Sequence, residues 1–153
     1  MSAFSFARVL QRFLDWREGD QFESDPTPCL KRINVLAHSM GNRMLRETLR
    51  LWRKYYLQGG VPLLFRNTFL IAADIVNESL EEGHAGEAIP HASRNVTVYF
   101  ASDDLALRAS KASNLRNRIT SRRLGHSGPE DMAKVGRNVF AEDAPRRMTI
   151  LRD

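Results

Sequence analysis

A single cysteine, Cys29, stands among the 153 residues, so no disulfide can close within the chain and no cysteine pair is available to hold a metal. Neither a metal nor another cofactor is therefore expected. One unpaired thiol suits a reducing compartment, and the expected location is cytoplasmic. Long apolar runs are missing as well. No segment reaches the roughly 18 consecutive apolar residues needed to cross a bilayer, so no membrane span is expected. Residues 1–16 alternate Phe6, Val9, Leu10, Phe13 and Leu14 with Arg8, Gln11, Arg12 and Asp15, which excludes the unbroken apolar centre of a secretory signal. Low-complexity tracts and solenoid-length repeats are absent too.

What is present is the composition of an ordinary globular protein, 42% hydrophobic and 27% charged. A chain of this length makes one domain, here residues 1–153, and can bury roughly 70% of the surface its unfolded form exposes. The formal charge of +5 favours acidic partners through its long-range field. Much of the excess sits at 105–123, where Arg108, Lys111, Arg116, Arg118, Arg122 and Arg123 occur without an acidic residue. Basic helices of this kind can bind phosphate. With no interleaved aromatic residue and no nucleic-acid motif, however, the segment reads as a solvated helix surface rather than a nucleic-acid interface.

Hydrophobic spacing organises the rest. Phe6, Val9, Leu10, Phe13 and Leu14 follow the i, i+3, i+4, i+7, i+8 pattern of one helical face, giving an amphipathic helix over 5–16. Gly19 and Asp25-Pro26-Thr27-Pro28 then make a turn-rich connection. Residues 32–37, with Ile33, Val35 and Leu36, read as a buried strand running into a small-residue turn. A helix follows over 42–56, carrying Leu45, Leu49, Trp52 and Tyr56 on one face and Gly59-Gly60 beyond its end. Further strands are expected at 68–73 and 96–101. A helix over 78–89 is weakened by Gly83 and Gly86, each costing about 1 kcal/mol relative to alanine. A firmer helix is expected over 105–119, capped by Asp103 or Asp104. Residues 124–145 look like loop, and 147–151 reads as a fourth strand.

Strands alternating with helices imply an α/β fold with a mostly parallel sheet of about four strands and flanking helices. In such sheets functional residues gather at the carboxyl ends of the strands. Ser39, Asp74 and Asp103-Asp104 each fall just past such an end. Ser39 sits in Ala37-His38-Ser39-Met40-Gly41, between a strand and a helix. A nucleophilic serine needs its hydroxyl held out of the sheet on a sharp turn of this kind, with small residues two before and two after and a helix N-terminus to stabilise developing negative charge. The usual pattern is G-x-S-x-G, and alanine stands here at its first position. The competing role for Ser39 is a helix cap. His38 flanks the serine and points away from it, so a packing or turn role is expected of it.

Taken together, Ala37-His38-Ser39-Met40-Gly41-Asn42-Arg43, the strand ending Ala72-Ala73-Asp74, the run Val98-Tyr99-Phe100-Ala101-Ser102-Asp103-Asp104-Leu105-Ala106-Leu107, and Arg123-Leu124-Gly125 resemble the uncharacterised bacterial esterase/lipase-like branch of the α/β-hydrolase superfamily. The resemblance covers roughly residues 2–124. It implies a partial α/β-hydrolase fold with a Ser, acid, His triad in that chain order, acting on a small-molecule ester or acyl substrate. It places the acid after the second strand beyond the serine strand, which selects Asp104, with Asp103 or Asp74 as alternatives. The Met40 backbone N–H would be one oxyanion donor. A triad histidine would follow the final strand; His126 is the one histidine after the acid, yet it precedes 147–151, so a loop role competes with that of general base. His84 and His91 come before the acid. Because one helix alone precedes Arg32, earlier strands and the second oxyanion donor are expected to be missing. The chain thus reads as a truncated domain, inert or nearly so alone. It would be either a serine hydrolase fragment or a non-catalytic module that keeps the fold, prone to self-association through an exposed sheet edge.

Overall fold

The computed structural model describes residues 2–19, 33–56, 61–102 and 122–144. The 25–28 connection with Cys29, Gly59-Gly60, the acids Asp103 and Asp104, the helix expected at 105–119 and the strand expected at 147–151 lie outside the described residues.

Within them the elements run α1 (Ala3–Gly19), β1 (Ile33–His38), α2 (Gly41–Tyr56), β2 (Phe65–Ile71), a 3-10 turn (Asn77–Leu80), α3 (Ala88–Ala92), β3 (Ser93–Phe100), α4 (Leu124–Ser127) and β4 (Val139–Asp143). The four strands form one sheet in the order β1-β2-β3-β4, parallel throughout. This is the α/β architecture that strand-helix alternation implies. The fourth strand lies earlier than expected, inside the stretch read as loop. Val-Phe-Ala-Glu-Asp is short, ends in two acids and buries Val139 while Phe140 stays exposed, so it lacks the all-apolar signature of a covered strand.

Register is set by polar pairs at the amino ends of the strands. Asn34 aligns with Asn67 and Asn67 with Asn95, and their side chains form a ladder: Asn67 Nδ2 donates to Asn34 Oδ1 at 2.9 Å and Asn95 Nδ2 to Asn67 Oδ1 at 3.0 Å. One step of slippage would break this ladder and turn every apolar residue to the wrong face. Among the described residues β1 has a partner on one side alone, and its Leu36 is 65% exposed.

The core joins Leu45, Leu49 and Trp52 of α2 to Phe65, Leu70, Val96 and Val98 of the sheet. Against α2 lies α1, tied to it by Trp52 Nε1 donating to Gln11 Oε1 at 2.8 Å. The buried face of α1 is Ala7, Leu10 and Leu14; Val9, expected on that face, is exposed. Alanine at position 7 lets the helices approach, which rotates the contact stripe away from Val9. Among the described residues no helix is long and apolar enough to cross a membrane.

The helix expected over 78–89 is instead a 3-10 turn and the separate α3, divided by Gly83 at φ 80°. Glu87 secures that break. Its carboxylate accepts from the Gly83 amide at 2.7 Å and pairs with Arg53 of α2. The Gly83 N–H, reinforced by Arg53, holds the Glu87 carboxyl below the ordinary carboxylate range. A depressed pKa contributes stability that is present above the unfolded value and lost as pH falls through the folded one. Glu87→Gln is therefore expected to be less stable than the unsubstituted chain at pH 7, and the gap should close as pH drops below the ordinary carboxylate range. Urea unfolding at a series of pH values measures it; a gap that is constant with pH would remove Glu87 from this role.

Candidate active site

Because β1 ends at His38 and α2 begins at Gly41, the chain must turn within Ser39 and Met40. Ser39 does so with φ 50°, a left-handed conformation that costs a non-glycine residue about 1–2 kcal/mol. Its surroundings hold it there. The Ser39 amide donates to Ile71 O at 3.0 Å, and its carbonyl accepts from Asn42 N at 3.1 Å and from Asp74 N at 3.4 Å. Asn42, fully buried, adds a side-chain clamp: Nδ2 donates to Ala37 O at 3.1 Å, Ser39 O at 3.0 Å and Ile71 O at 3.3 Å. One amide thus binds the last residues of β1 and β2 to the first turn of α2. Met40 opens that turn, with its carbonyl accepting from the amides of Arg43 and Met44 and its side chain 68% exposed. The start of α2 brings the positive end of the helix dipole to this edge of the sheet.

Of the two small residues flanking the turn, Ala37 is buried, whereas a Cβ built on Gly41 meets nothing within 4 Å. The crowding that the motif implies at Gly41 does not exist among the described residues. Crowding occurs elsewhere. Gly125 lies so close to the bend that follows β2 that a Cβ there would sit 2.1 Å from Ala73 N and 2.3 Å from Ala72 C. Ala72 is the second non-glycine residue with positive φ, at 44°.

His126 follows Gly125 in α4, which is held at the carboxyl edge by three backbone bonds. Leu124 N donates to Ile75 O at 2.9 Å, Gly125 N to Ala73 O at 2.9 Å, and Ala101 N to Gly125 O at 3.0 Å. The imidazole Nδ1 lies 3.2 Å from Ala101 O. A carbonyl can only accept, so Nδ1 carries the proton, and in the neutral ring Nε2 is the basic nitrogen. The structure therefore brings Ser39 and His126 to the same edge on either side of β2, with no hydrogen bond between them among the described residues. Of the other histidines, His38 is exposed beside the turn. His91, in the α3 that leads into the start of β3, belongs to the opposite end of the sheet, and His84 lies in the Gly83 turn. A cleft of about 360 Å³ lined by Leu80, Glu87, Pro90, His91, Val135 and Asn138 also sits at that amino end.

Asp74, weighed as an acid, is held between two guanidinium groups. Arg43 reaches its Oδ2 at 2.7 Å and donates from Nε to its backbone carbonyl at 2.8 Å, while Arg123 Nε lies 3.3 Å from its Oδ1. Burial lowers the Arg123 pKa from its ordinary value, Asp74 opposes that shift, and the charges of Arg43 and Arg46 add to it. Arg123 is 7% exposed, so the basic segment expected to be solvated ends in a buried, paired arginine. The physical reason is Asp74: a guanidinium can leave water where a carboxylate replaces its hydration. Arg122 is exposed, and residues 108–121 lie outside the described set. Among the described residues no three His, Cys, Asp or Glu side chains are grouped as metal ligands would be.

A parallel sheet whose first strand turns sharply at a serine into a helix is the framework of the α/β-hydrolase class. Residues 25–139 match an alpha/beta hydrolase family of unknown function (DUF900), and the chain belongs to this family. No curated protein and no solved structure matches the chain.

The two glycines give opposite expectations. Gly125→Ala forces a Cβ into backbone and should cost about 3 kcal/mol, at the upper end of overpacking effects. Gly41→Ala has open space and a helical position, and should leave stability unchanged or raise it by about 0.5–1 kcal/mol. Denaturant midpoints of the two variants decide; equal losses would contradict the packing described.

Proposed function

We propose that the protein is a serine hydrolase of esterase or lipase type, with Ser39 as nucleophile and a small-molecule ester or related acyl compound as substrate. The observation that carries this reading is the left-handed Ser39 at the strand-to-helix turn on the carboxyl edge of a parallel sheet. In the proposed reaction Ser39 Oγ attacks the acyl carbon while its proton passes to His126 Nε2. The Met40 N–H receives the developing oxyanion, and the protonated imidazole then gives its proton to the departing alcohol. Water, activated by the same imidazole, releases the acid and frees Ser39. Asp104 is assigned the carboxylate whose charge stabilises the imidazolium through space, since the Nδ1–H that a triad acid would accept is already given to Ala101 O. Asp74 suits that part less well, because each of its oxygens already faces a guanidinium. The Nδ1 proton on Ala101 O supports the base assignment, since it directs the basic electron pair to Nε2.

A second reading, a non-catalytic module that keeps the fold, is favoured by the separation of Ser39 from His126. An assay of the purified chain on short-chain p-nitrophenyl esters separates the two. The hydrolase reading expects turnover that is slow, with a single oxyanion donor assigned, but that falls to background in Ser39→Ala and in His126→Ala, as loss of a nucleophile or a general base requires. Turnover that survives Ser39→Ala would exclude Ser39 as nucleophile. Absence of turnover in the unsubstituted chain, together with no phosphonylation of Ser39 by a fluorophosphonate, would favour the non-catalytic module.

A further inference from the structure

Ser39 and His126 approach the carboxyl edge from distant parts of the chain, and the backbone between them is built from unfavourable pieces. Ser39 and Ala72 both hold positive φ without being glycine. Strain of this sort persists only where surrounding contacts over-determine it, and it collects at functional sites. At Ala72 the contacts are specific. Its amide donates to Tyr99 O at 3.2 Å, and Gly125 is pressed against its Cα and carbonyl carbon. Two residues beyond it comes Asp74, whose amide faces Ser39 O and whose carboxylate binds Arg123, three residues before His126. On its other side Asp74 engages Arg43, one turn beyond Ser39 in α2, through both backbone and side chain. One residue therefore touches both segments.

We propose that Asp74 is a positioning residue: through Arg43 and Arg123 it locks the Ser39 turn to the His126 turn and fixes the separation of the two side chains. The proposal rests on the hydrolase reading for its purpose, though the lock itself is a property of the fold. Its logic is geometric. Backbone bonds seat both turns on the segment 71–75, Ser39 N on Ile71 O, Gly125 N on Ala73 O and Leu124 N on Ile75 O. The Asp74 carboxylate, in the middle of that segment and gripped from two sides by guanidinium groups, adds a directional side-chain tie from one turn to the other, with Arg123 almost wholly out of water. Neutralising the carboxylate would leave a buried arginine uncompensated and loosen both attachments together.

Hydrogen–deuterium exchange on the purified chain tests this, read in peptides covering 36–44 and 122–128. Asp74→Asn is expected to speed exchange roughly tenfold in both segments together, as for loss of a shared local lock. The ring resonance of His126 should move in the same variant while those of His84 and His91 stay in place. Faster exchange in one segment alone, or an unmoved His126 resonance, would overturn the proposal. Should Asp74→Asn fail to fold, Arg43→Gln leaves the Arg123 pair standing and asks the same question at a distance. Exchange must then rise at 122–128, to which Arg43 makes no hydrogen bond or ion pair among the described residues, and Arg43→Lys must restore part of the protection; no change at 122–128 sinks the idea. The two layers separate through fluorophosphonate labelling of Ser39. An unlabelled parent chain counts against the hydrolase reading and leaves the exchange result standing, whereas a labelled parent whose labelling rate is unchanged in Asp74→Asn removes the positioning role.

Discussion

The edge that carries Ser39 depends on one buried amide. Asn42 Nδ2 has two hydrogens and faces three carbonyl oxygens, those of Ala37, Ser39 and Ile71, so at least one hydrogen is shared. These acceptors are the points at which two neighbouring strands stop being strands. Ser39 O and Ile71 O also accept backbone amides, so the side chain adds a further donor at these strand ends and ties them to one another. The same amide fixes where α2 begins, because Asn42 also donates its backbone N–H to Ser39 O. Left-handed backbone at Ser39 is then the one conformation compatible with all of these bonds.

From that point the order along the sheet edge follows. Ile71, held by Asn42 and by the Ser39 amide, is succeeded by Ala72, which bends in the left-handed sense and sends Asp74 back toward the serine turn. The bend opens a backbone surface that only a residue without a Cβ can approach, and Gly125 occupies it. His126 is thereby placed next to Ala101 at the end of β3. Each step is short-range, yet together they join segments that are far apart in sequence.

What could be read from the sequence follows the same division. The turn at Ser39 was legible because its signals are local: an apolar strand, small residues, and a helix with Leu45, Leu49 and Trp52 on one face. The parallel α/β class was legible for the same reason, since the carboxyl halves of β2 and β3 are mostly apolar. Features set by distant partners were not. Val139 to Asp143 pairs with β3 at the edge of the sheet and carries its two acids outside, so nothing in five residues distinguishes it from loop. Val9 fits the helical pattern as well as Leu10 does, and only the approach of α2 decides between them. Gly41 and Gly125 show the limit most clearly: the motif attached a steric reason to the first, and the contacts attach it to the second.

Charge completes the picture and explains why Asp74 and Asp104 receive different parts. Arg43 and Arg123 share the Asp74 carboxylate, and the burial of Arg123 makes that carboxylate important to the local balance. A triad acid must be able to strengthen its bond to the imidazole at the moment the ring becomes charged. Asp74 already binds two guanidinium groups, and an imidazolium beside it would add to the repulsion between them. A carboxylate outside this cluster would gain more from the ring's charge than Asp74 can.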